Sequence, residues 1–376
     1  MKKSIIIFSE YYLPKLGGVE RYTNKLVEKL KVKYNITIVT TKLGTEKRVE
    51  ENGNVKVYRL NVYDTFKNRY AIIKKDKWYK EVIQKLKKVD YNYCVCQTRF
   101  FPMSLIGVKF AKKNSIPVMV IEHGSSHFTV NNKILDFFGL IYEHVITSII
   151  KSKCKSYYGV SNRCVSWLKH FNINANGVLY NSVEKDDYNT YKNYKLFDNE
   201  SINICYAGRL IKEKGLYELC EAFNRIYNKN KNVVLHIAGD GPILDDLKSK
   251  YSNSNIIFLG KLDFENVMKL YNSCDIFVYP SMYPEGLPTS ILEAGLMKCA
   301  IVATDRGGTV EIIKHKKNGL ICEENIESIY NNLKYLIDNP DVLKMYSNNV
   351  HNSIISDFTW NITAEKLSKI IEKDGI

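Results

Sequence analysis

SIIIFSEYYLPKLGGVERYTNKLVEKLKVKYNITIVT, residues 4–40, decides the fold class of this 376-residue chain. A short apolar run at 4–8 is followed by a glycine-bearing loop at 14–20, a helical pattern with one apolar side, and a second apolar run at 35–40. A strand, a helix and a strand in this order form a βαβ unit, whose strands pair in parallel through a right-handed crossover. The first half of the chain is therefore predicted to be an α/β domain with a parallel sheet.

The same plan continues along the chain on both sides of one polar segment. Further strands are predicted at 55–60, 93–96, 117–121, 156–160, 202–210, 233–239, 255–260, 275–280 and 299–304. Their continuous apolar character suits strands that are buried on both faces of a parallel sheet. We expect two Rossmann-like, doubly wound domains at 1–181 and 201–356 that face each other across a cleft, joined by a linker at 182–200. Ligands of such sheets bind outside the carboxyl ends of the strands.

Composition and cysteine spacing disfavour several classes of protein. Hydrophobic residues make up 45% and charged residues 25% of the chain, which is typical of globular proteins. No apolar stretch approaches the ~18–20 residues that span a bilayer, and the run at 5–8 is too short for a signal-peptide core. Nine cysteines occur without a Cys-x-x-Cys pair, which argues against a disulfide framework or a structural zinc site. We expect a cytoplasmic protein with reduced, buried thiols.

The positive charge of the chain lies in its first half. Residues 1–181 carry a formal charge of +19 and residues 182–376 a charge of −4, which together give the net +15. This asymmetry indicates that the first half meets an anionic surface or substrate, for which nucleic acid, anionic lipid and a phosphorylated acceptor all qualify. A plain solvated basic surface is the simpler alternative.

The segment YPEGLPTSILEAGLMKCAIVATDRGGTVE, residues 283–311, carries the strongest functional signal. Its prolines frame a loop that ends in Thr289 and Ser290, which are good residues for capping the helix that follows. The start of that helix offers unpaired N–H groups and a positive dipole end for an anion. Glu285 in the loop and Glu293 in the helix can accept hydrogen bonds from hydroxyl groups. The helix is apolar nearly all round, so Glu293 is expected to be buried, and a buried carboxylate needs a partner.

Two cations are expected at the carboxyl end of the first strand of the second domain. Arg209 and Lys214 flank a short loop there. A guanidinium fork and a compact ammonium group are well suited to bind a diphosphate. The alternative is two ordinary surface cations, and the position at a strand's carboxyl end favours the functional interpretation.

Two glycine turns and one histidine complete the candidate residues. Gly17 and Gly18 lie between a strand and a helix, where glycine lets the backbone approach a phosphate, although a plain tight turn fits as well. Gly239, Asp240, Gly241 and Pro242 form a turn signature that needs no function of its own. His123 follows the apolar run VMVI and precedes a glycine and two serines, so it can face a ligand, although a lone histidine is more often structural.

The order of these pieces resembles a known family. Glu285 and Glu293 match the E-x7-E pattern of the family-4 (GT4) retaining glycosyltransferases, which have the GT-B fold. Other segments that resemble parts of that family are GGVER (17–21), EHG (122–124), VSN (160–162), YNSV (180–183), GRLIKEKG (208–215), AGDGP (238–242) and FTW (358–360). The resemblance covers nearly the whole chain. It also implies a closing helix at 357–376 that packs back toward the N-terminal domain.

The resemblance implies a nucleotide-diphosphate sugar as donor and a role for each candidate. Arg209 and Lys214 would neutralise the diphosphate leaving group without a metal or other cofactor, and His123 would lie near the transferring sugar and help stabilise positive charge at its anomeric carbon. The implied catalytic residues are His123, Glu285, Arg209 and Lys214. The implied donor-binding residues are Gly17, Gly18, Arg209, Lys214, Gly239, Asp240, Gly241, Pro242, Glu285, Gly286, Leu287, Pro288, Thr289 and Glu293. The loop at 305–308 resembles one that closes around the donor.

The acceptor is expected to meet the N-terminal domain. The basic segment 65–90 has Trp78, Val82 and Leu86 at helical spacing, and it either lies on an anionic membrane surface or packs on the domain as an ordinary helix. Arg99, in QTRFFP after the strand at 93–96, is a candidate for an acceptor contact, and His127 is a weaker candidate for the role given to His123. We therefore expect a glycan or lipid-linked acceptor in polysaccharide or lipopolysaccharide synthesis, at the inner face of the membrane, with uridine favoured over guanosine as the donor base.

Two other functions remain as alternatives. A non-hydrolysing sugar-nucleotide epimerase shares this fold but lacks the combination of E-x7-E with the GRLIKEKG loop. A nucleic-acid-binding protein would explain the basic half, yet the chain has no RRM, KH, helix-turn-helix or zinc signature, so we expect no nucleic-acid partner. An NAD-dependent oxidoreductase is disfavoured because neither half carries a G-x-G-x-x-G loop with a ribose-binding acid.

Overall fold

The computed structural model describes residues 2–15, 17–63, 71–129, 132–197, 200–251 and 255–374. The chain divides into two compact units. One consists of Met1–Asn181 together with Trp360–Ile376, and the other of Ser182–Thr359. Each unit is an α/β domain built on a mainly parallel sheet, in agreement with the fold class expected from the sequence.

The first unit contains nine labelled strands and five labelled helices before residue 181, among the residues described. In chain order they are β1 Ser4–Phe8, α1 Gly18–Leu30, β2 Asn35–Lys42, β3 Val49–Asn52, β4 Val55–Tyr63, β5 Ile72–Ile73, α2 Lys77–Leu86, β6 Tyr93–Gln97, α3 Pro102–Lys113, β7 Val118–Glu122, α4 Lys133–Lys151, β8 Ser156–Gly159, α5 Asn162–Leu168 and β9 Gly177–Val178. The strands hydrogen-bond in the order β3-β4-β2-β1-β6-β7-β8-β9, and β5 pairs with β4.

The second unit repeats the alternation of strands and helices. In chain order its elements are α6 Lys185–Tyr191, β10 Ile202–Ala207, α7 Leu216–Lys229, β11 Val233–Ala238, α8 Leu244–Lys250, β12 Ile256–Gly260, α9 Phe264–Ser273, β13 Ile276–Tyr279, α10 Thr289–Leu296, β14 Ala300–Thr304, α11 Thr309–Ile312, β15 Leu320–Cys322, α12 Ile326–Asp338 and α13 Pro340–Asp357. The strand order is β12-β11-β10-β13-β14-β15, with parallel pairing throughout. The strand order reverses between β10 and β13. The carboxyl ends of these two strands therefore form the topological switch point, where such sheets bind ligands.

Burial on both faces explains why the strands of the first unit read as continuous apolar runs. In β1, Ile5 and Ile7 pack into one core, whereas Ile6 and Phe8 pack into the other. Successive side chains of a strand point to opposite faces, so a sheet covered by helices on both sides needs apolar residues at every position. Each fully buried side chain of this size contributes about 1.5–3 kcal/mol.

The C-terminal segment belongs to the first unit. Helix α13 ends at Asp357, and the last helix, α14 (Trp360–Asp374), packs in the core that contains α1. The Trp360 ring lies edge-on to the Tyr22 ring at 5.3 Å, and the Thr363 hydroxyl donates to the Tyr180 carbonyl oxygen at 3.1 Å. The expected closing helix therefore starts three residues later than the predicted boundary at 357.

The polar segment 182–200, which we expected to be a linker, is partly ordered on the second unit. It contains α6, and the Val183 N–H donates to the Phe358 carbonyl oxygen at 2.9 Å. The Leu196 N–H donates to the Ser273 hydroxyl oxygen at 2.9 Å, and the Phe197 ring stacks on the His236 ring at 3.9 Å. Its aromatic residues anchor a stretch whose polar composition alone indicated a loose connection. Residues 198 and 199 lie outside the described part of the chain.

The basic segment 65–90 is only partly described, because residues 65–70 lie outside the described ranges. Helix α2 within it buries Val82 and Leu86 in the core, and Trp78 packs against the same core while its indole N–H donates to the Arg59 carbonyl oxygen at 2.9 Å. The apolar face of α2 is thus covered by its own domain, which is the simpler of the two interpretations of this helix. Among the described helices, none is both long and apolar enough to cross a membrane.

Candidate functional site

Four loops at the carboxyl ends of β10, β11, β13 and β14 meet at the switch point of the second unit. The Leu210 N–H, in the loop after β10, donates to the Asp240 carbonyl oxygen in the loop after β11 at 2.9 Å. Gly239 has a φ of 149°, and a side chain there would overlap the carbonyl oxygen of Gly208. Only glycine lets these two loops approach so closely. The turn signature at 239–242 therefore has a structural reason, and it leaves Asp240 and Pro242 exposed.

The loop after β13 lies against the loop after β10. The Met282 N–H donates to the Glu213 carbonyl oxygen at 2.8 Å. Gly215, with a φ of 69°, is packed so tightly that a side chain would overlap the Pro280 carbonyl oxygen. This close packing of two loops sets the position of the charged side chain of Lys214, which immediately precedes Gly215.

Lys214 and Glu285 form an ion pair between these two loops. The Lys214 ammonium group contacts Glu285 Oε1, and the two side chains are 14% and 26% exposed. The ammonium group also lies 5.6 Å from the centre of the Tyr279 ring and 5.5 Å from that of Tyr283. Burial is the main cause that raises the pKa of the Tyr279 hydroxyl, and the negative charge of Glu285 raises it further. The Tyr279 side chain therefore remains neutral. The structure thus brings together one cation and one carboxylate that sequence analysis assigned to the same ligand.

Helix α10 starts next to this ion pair, although its cap differs from the expectation. Thr289 and Ser290 were predicted as capping residues, but the cap is Pro288, and Thr289 is the first helical residue. No side chain among the described residues caps this helix, because proline offers no side-chain acceptor. The first N–H groups of α10 are therefore not engaged by a capping side chain, and the helix dipole favours an anion there.

Glu293 lies one turn into α10 and is half-buried, whereas the apolar surroundings predicted full burial. Burial, and then the negative charge of Glu293, raise the pKa of Tyr271 well above its ordinary value, which places the two side chains near each other. Leu287, just before the helix, is buried, and Gly286 accepts a hydrogen bond from the Gly308 N–H at 2.8 Å. The loop at 305–308 thereby packs on the loop of Glu285.

Arg209 projects from the loop after β10. It is exposed, and its guanidinium group forms no ion pair with any residue that the structure describes. Its carbonyl oxygen accepts a hydrogen bond from the Tyr206 hydroxyl at 3.1 Å, which holds the backbone of the loop. An exposed guanidinium group in the same loop as Lys214 adds positive charge at this end of the unit, as expected of a diphosphate site.

In the first unit, His123 directly follows β7 and is held by its neighbours. Its Nε2 lies 2.7 Å from Gln97 Oε1, and its ring meets the Tyr22 ring edge-on at 4.8 Å. Burial lowers the pKa of His123 to about 3. The imidazole is consequently neutral at physiological pH.

The glycine turn of the first unit is covered by a carboxylate. Gly17 caps α1 and Gly18 is its first residue. The carboxylate of Glu20 lies so close to Gly17 that a side chain at 17 would overlap it, and burial raises the pKa of Glu20. Gly18, in contrast, has open space around it. A phosphate at this helix start would have to displace Glu20, which sequence analysis did not foresee. Leu16 lies outside the described residues.

Arg99 does not face an acceptor, contrary to what its position in the sequence suggested. Its side chain is fully buried, with one nitrogen 3.0 Å from Glu122 Oε2 and another in contact with Glu143. Its guanidinium group also lies 3.9 Å from the centre of the Phe171 ring. Glu122 is the last residue of β7, and β7 pairs with β6, which ends shortly before Arg99. Because the ends of neighbouring parallel strands lie close together, the sequence could have indicated this pair. Glu143 comes from a distant helix, and no sequence signal links it to Arg99.

Comparison with known proteins agrees with this architecture. Residues 187–353 match the family described as glycosyl transferases group 1. The uncharacterized glycosyltransferase MJ1069 of Methanocaldococcus jannaschii is 28% identical, over 99% of each chain. The alpha-monoglucosyldiacylglycerol synthase of Acholeplasma laidlawii is 25% identical, over 91% of this chain and 90% of its own.

The fold also matches solved structures. The crystal structure of Anabaena Alr3699/HepE in complex with UDP superimposes with a TM-score of 0.75 at 15% identity, over 99% of this chain and all of that one. At this identity the likeness shows the fold alone. Together, the two parallel-sheet units, the family match and the relatives that align over nearly the whole chain identify it as a glycosyltransferase with the GT-B fold.

Proposed function

We propose that the chain is a family-4 retaining glycosyltransferase that transfers a hexose or N-acetylhexosamine from a nucleotide-diphosphate sugar to a glycan or lipid-linked acceptor. The observation that supports this most directly is the ion pair between Lys214 and Glu285 at the switch point of the second unit. It joins a group that can bind phosphate to one that can bind sugar hydroxyls, in the place where sheets of this kind hold nucleotides.

The second unit supplies three kinds of contact for the diphosphate. Lys214 is a compact positive charge, Arg209 is an exposed guanidinium fork, and the start of α10 offers N–H groups that no described side chain caps. In the free protein Glu285 neutralises Lys214. When the donor binds, its phosphates take over the ammonium group, and Glu285 and Glu293 accept hydrogen bonds from hydroxyl groups of the donor. These groups would stabilise the charge that develops on the leaving diphosphate.

We propose that the acceptor attacks the anomeric carbon from the same face that the leaving group leaves. The anomeric configuration is then retained. A double displacement would need a carboxylate nucleophile, as in retaining glycosidases. Glu285 is paired with Lys214, and Glu293 lies within α10, so both are better used as donor ligands. In the proposed step, the bond between the anomeric carbon and the diphosphate oxygen breaks, and a bond to the acceptor oxygen forms. The acceptor proton passes to the departing phosphate oxygen. His123, neutral in the free protein, would not repel the positive sugar.

Uridine is the proposed base. The structure of Anabaena Alr3699/HepE, which shares the fold, contains UDP. In this chain the turn at 239–242 exposes Asp240 and Pro242 beside the loop of Arg209, which is where a base attached to a diphosphate could extend. Guanosine is the alternative that the experiment below distinguishes.

A lipid-linked acceptor at a membrane surface is supported by helix α4 in the first unit. One side of α4 is apolar and exposed, through Ile134, Leu135, Phe137, Phe138, Leu140, Ile141 and Val145. The opposite side buries Glu143, Thr147 and Ile150. An exposed apolar helix face on a half-chain with a charge of +19 suits an anionic lipid surface. The name of one relative, alpha-monoglucosyldiacylglycerol synthase, also refers to a lipid product.

The donor assignment is tested by binding and slow hydrolysis of a panel of UDP- and GDP-sugars. Lys214→Ala and Glu293→Ala are measured beside the wild type, with Lys212→Ala as the matched control, because Lys212 is an exposed lysine on the same turn. We expect one nucleotide sugar to bind selectively and both site variants to lose that binding, while the control keeps it. Equal binding by wild type and site variants would refute the site.

A further inference from the structure

Three histidines of the first unit, none of them in the proposed donor site, bring their ring nitrogens together. His127 lies in the loop after β7, His144 lies on α4, and His170 lies in the short turn Lys169–Phe171 after α5. One nitrogen from each ring lies within 4.8 Å of the other two. Three separate elements therefore converge on one point through their imidazoles.

The spacing between two of these rings matches that of a tetrahedral metal centre. His144 Nε2 and His170 Nε2 are 3.3 Å apart. Zinc–nitrogen bonds of 2.0–2.1 Å at tetrahedral angles place neighbouring ligand nitrogens about 3.3 Å apart. The same distance fits a hydrogen bond between the two rings, and His170 also stacks its face on Trp167, at 4.8 Å and 5° between planes, which holds the plane of its ring.

The third histidine has the hydrogen bond that metal-ligating histidines usually make. His127 Nδ1 lies 2.8 Å from Glu143 Oε2, and Glu143 is itself held by the buried Arg99. A carboxylate on one ring nitrogen fixes the ring orientation and leaves the other nitrogen as a ligand. Glu143 is buried while His144, the next residue on α4, is half-buried, so the orienting group lies beneath the histidine cluster.

We propose that His127, His144 and His170 bind a divalent transition-metal ion, of which Zn²⁺ fits best. Three neutral imidazoles suit Zn²⁺ better than the hard cations Mg²⁺ and Ca²⁺, which take oxygen ligands. The fourth position is open to water, because His170 is exposed. The ion ties the loop that contains His127 to α4 and to the turn after α5, and that loop begins at His123. This site shares no residue with the proposed donor site, and it does not depend on the identity of the donor.

The test uses the full-length protein without a histidine tag, freed of metal by a chelator and then titrated with Zn²⁺ or Co²⁺. We expect one ion per chain to bind. The Co²⁺ protein should show the strong visible absorption of tetrahedral coordination without the near-ultraviolet band of a cobalt–thiolate bond, which separates this site from the nine cysteines. At a hundredfold excess over the dissociation constant, Zn²⁺ should raise the midpoint of thermal unfolding by about 5 °C.

His170→Ala is the main variant, because an exposed position tolerates truncation, and His144→Ala is the second. His315→Ala is the matched control, since His315 is an exposed histidine of the other unit. Each site variant should weaken Zn²⁺ binding by about 100-fold or more and abolish the thermal shift, and the control should behave as wild type. Binding that survives in both site variants, or a Co²⁺ spectrum of octahedral type, would overturn the proposal.

Discussion

Lys214 and Glu285, 71 residues apart in the chain, form an ion pair between the loops that follow β10 and β13. Neither residue is on a regular strand or α-helix, and each is positioned by backbone contacts between the loops. The pair is only partly exposed, so solvent screens it less than a surface ion pair. It connects the sheet topology to the proposed donor chemistry.

Replacing Lys214 by alanine should remove the cation that we propose stabilises the leaving diphosphate. We expect Lys214→Ala to lower kcat by roughly 100- to 1,000-fold, which is the usual effect of losing one group that stabilises developing negative charge. The measurement is steady-state transfer with the donor identified by the binding panel. Lys212→Ala should retain wild-type activity, and a loss of equal size in that control would point to a general charge effect instead.

Gly239→Ala should destabilise the second unit, because the added carbon would overlap the Gly208 carbonyl oxygen. We expect the free energy of unfolding to fall by about 2 kcal/mol in urea denaturation. Gly260→Ala is the matched control: Gly260 also has a positive φ, of 69°, but nothing lies within 4 Å of its added carbon. If the two variants lose the same stability, backbone strain accounts for the loss and the loop contact does not.

His123 should remain neutral throughout the pH range of an activity assay, since burial lowers its pKa to about 3. Its contribution to folding is complete above the unfolded-state pKa of about 6.5 and is lost as pH falls from there toward 3, because the unfolded chain then binds the extra proton. NMR titration of the histidine ring protons checks this: the His123 signal should stay constant from pH 8 to pH 5. A signal that titrates near pH 6.5, as expected of an exposed imidazole, would show that His123 is charged.

Helix α4 should govern binding to lipid vesicles. Phe137→Glu combined with Phe138→Glu should reduce sedimentation with anionic vesicles by about tenfold or more, because both exposed rings lose their apolar contribution and gain negative charge. Val32→Glu is the control, as Val32 is an exposed apolar residue of the same unit outside α4. Unchanged sedimentation of the double variant would remove α4 from the membrane proposal, and the donor site would be unaffected.

Much of the architecture could be predicted from the sequence because it depends on local patterns. Continuous apolar runs indicated each central strand of both sheets to within a few residues, since strands that are covered on both faces need apolar side chains at every position. The short edge strands β3, β5, β9 and β15 were missed. The residues of β3 and β5 are mostly exposed, so no apolar run indicated them. Strands β9 and β15 have only two and three residues, which is too short for a pattern to indicate.

The sequence by itself determined the fold class, and it supplied the residue types of the proposed donor site, namely the two carboxylates, the two cations and the glycine turns. Tertiary structure decided which of them touch. Lys214 meets Glu285 because two loops pack through Gly215, whereas Arg99 is buried between Glu122 and Glu143, and Glu20 covers Gly17. The convergence of His127, His144 and His170 has no sequence signature either. Contacts between residues far apart in the chain depend on how helices and loops pack, and local periodicity does not encode that packing.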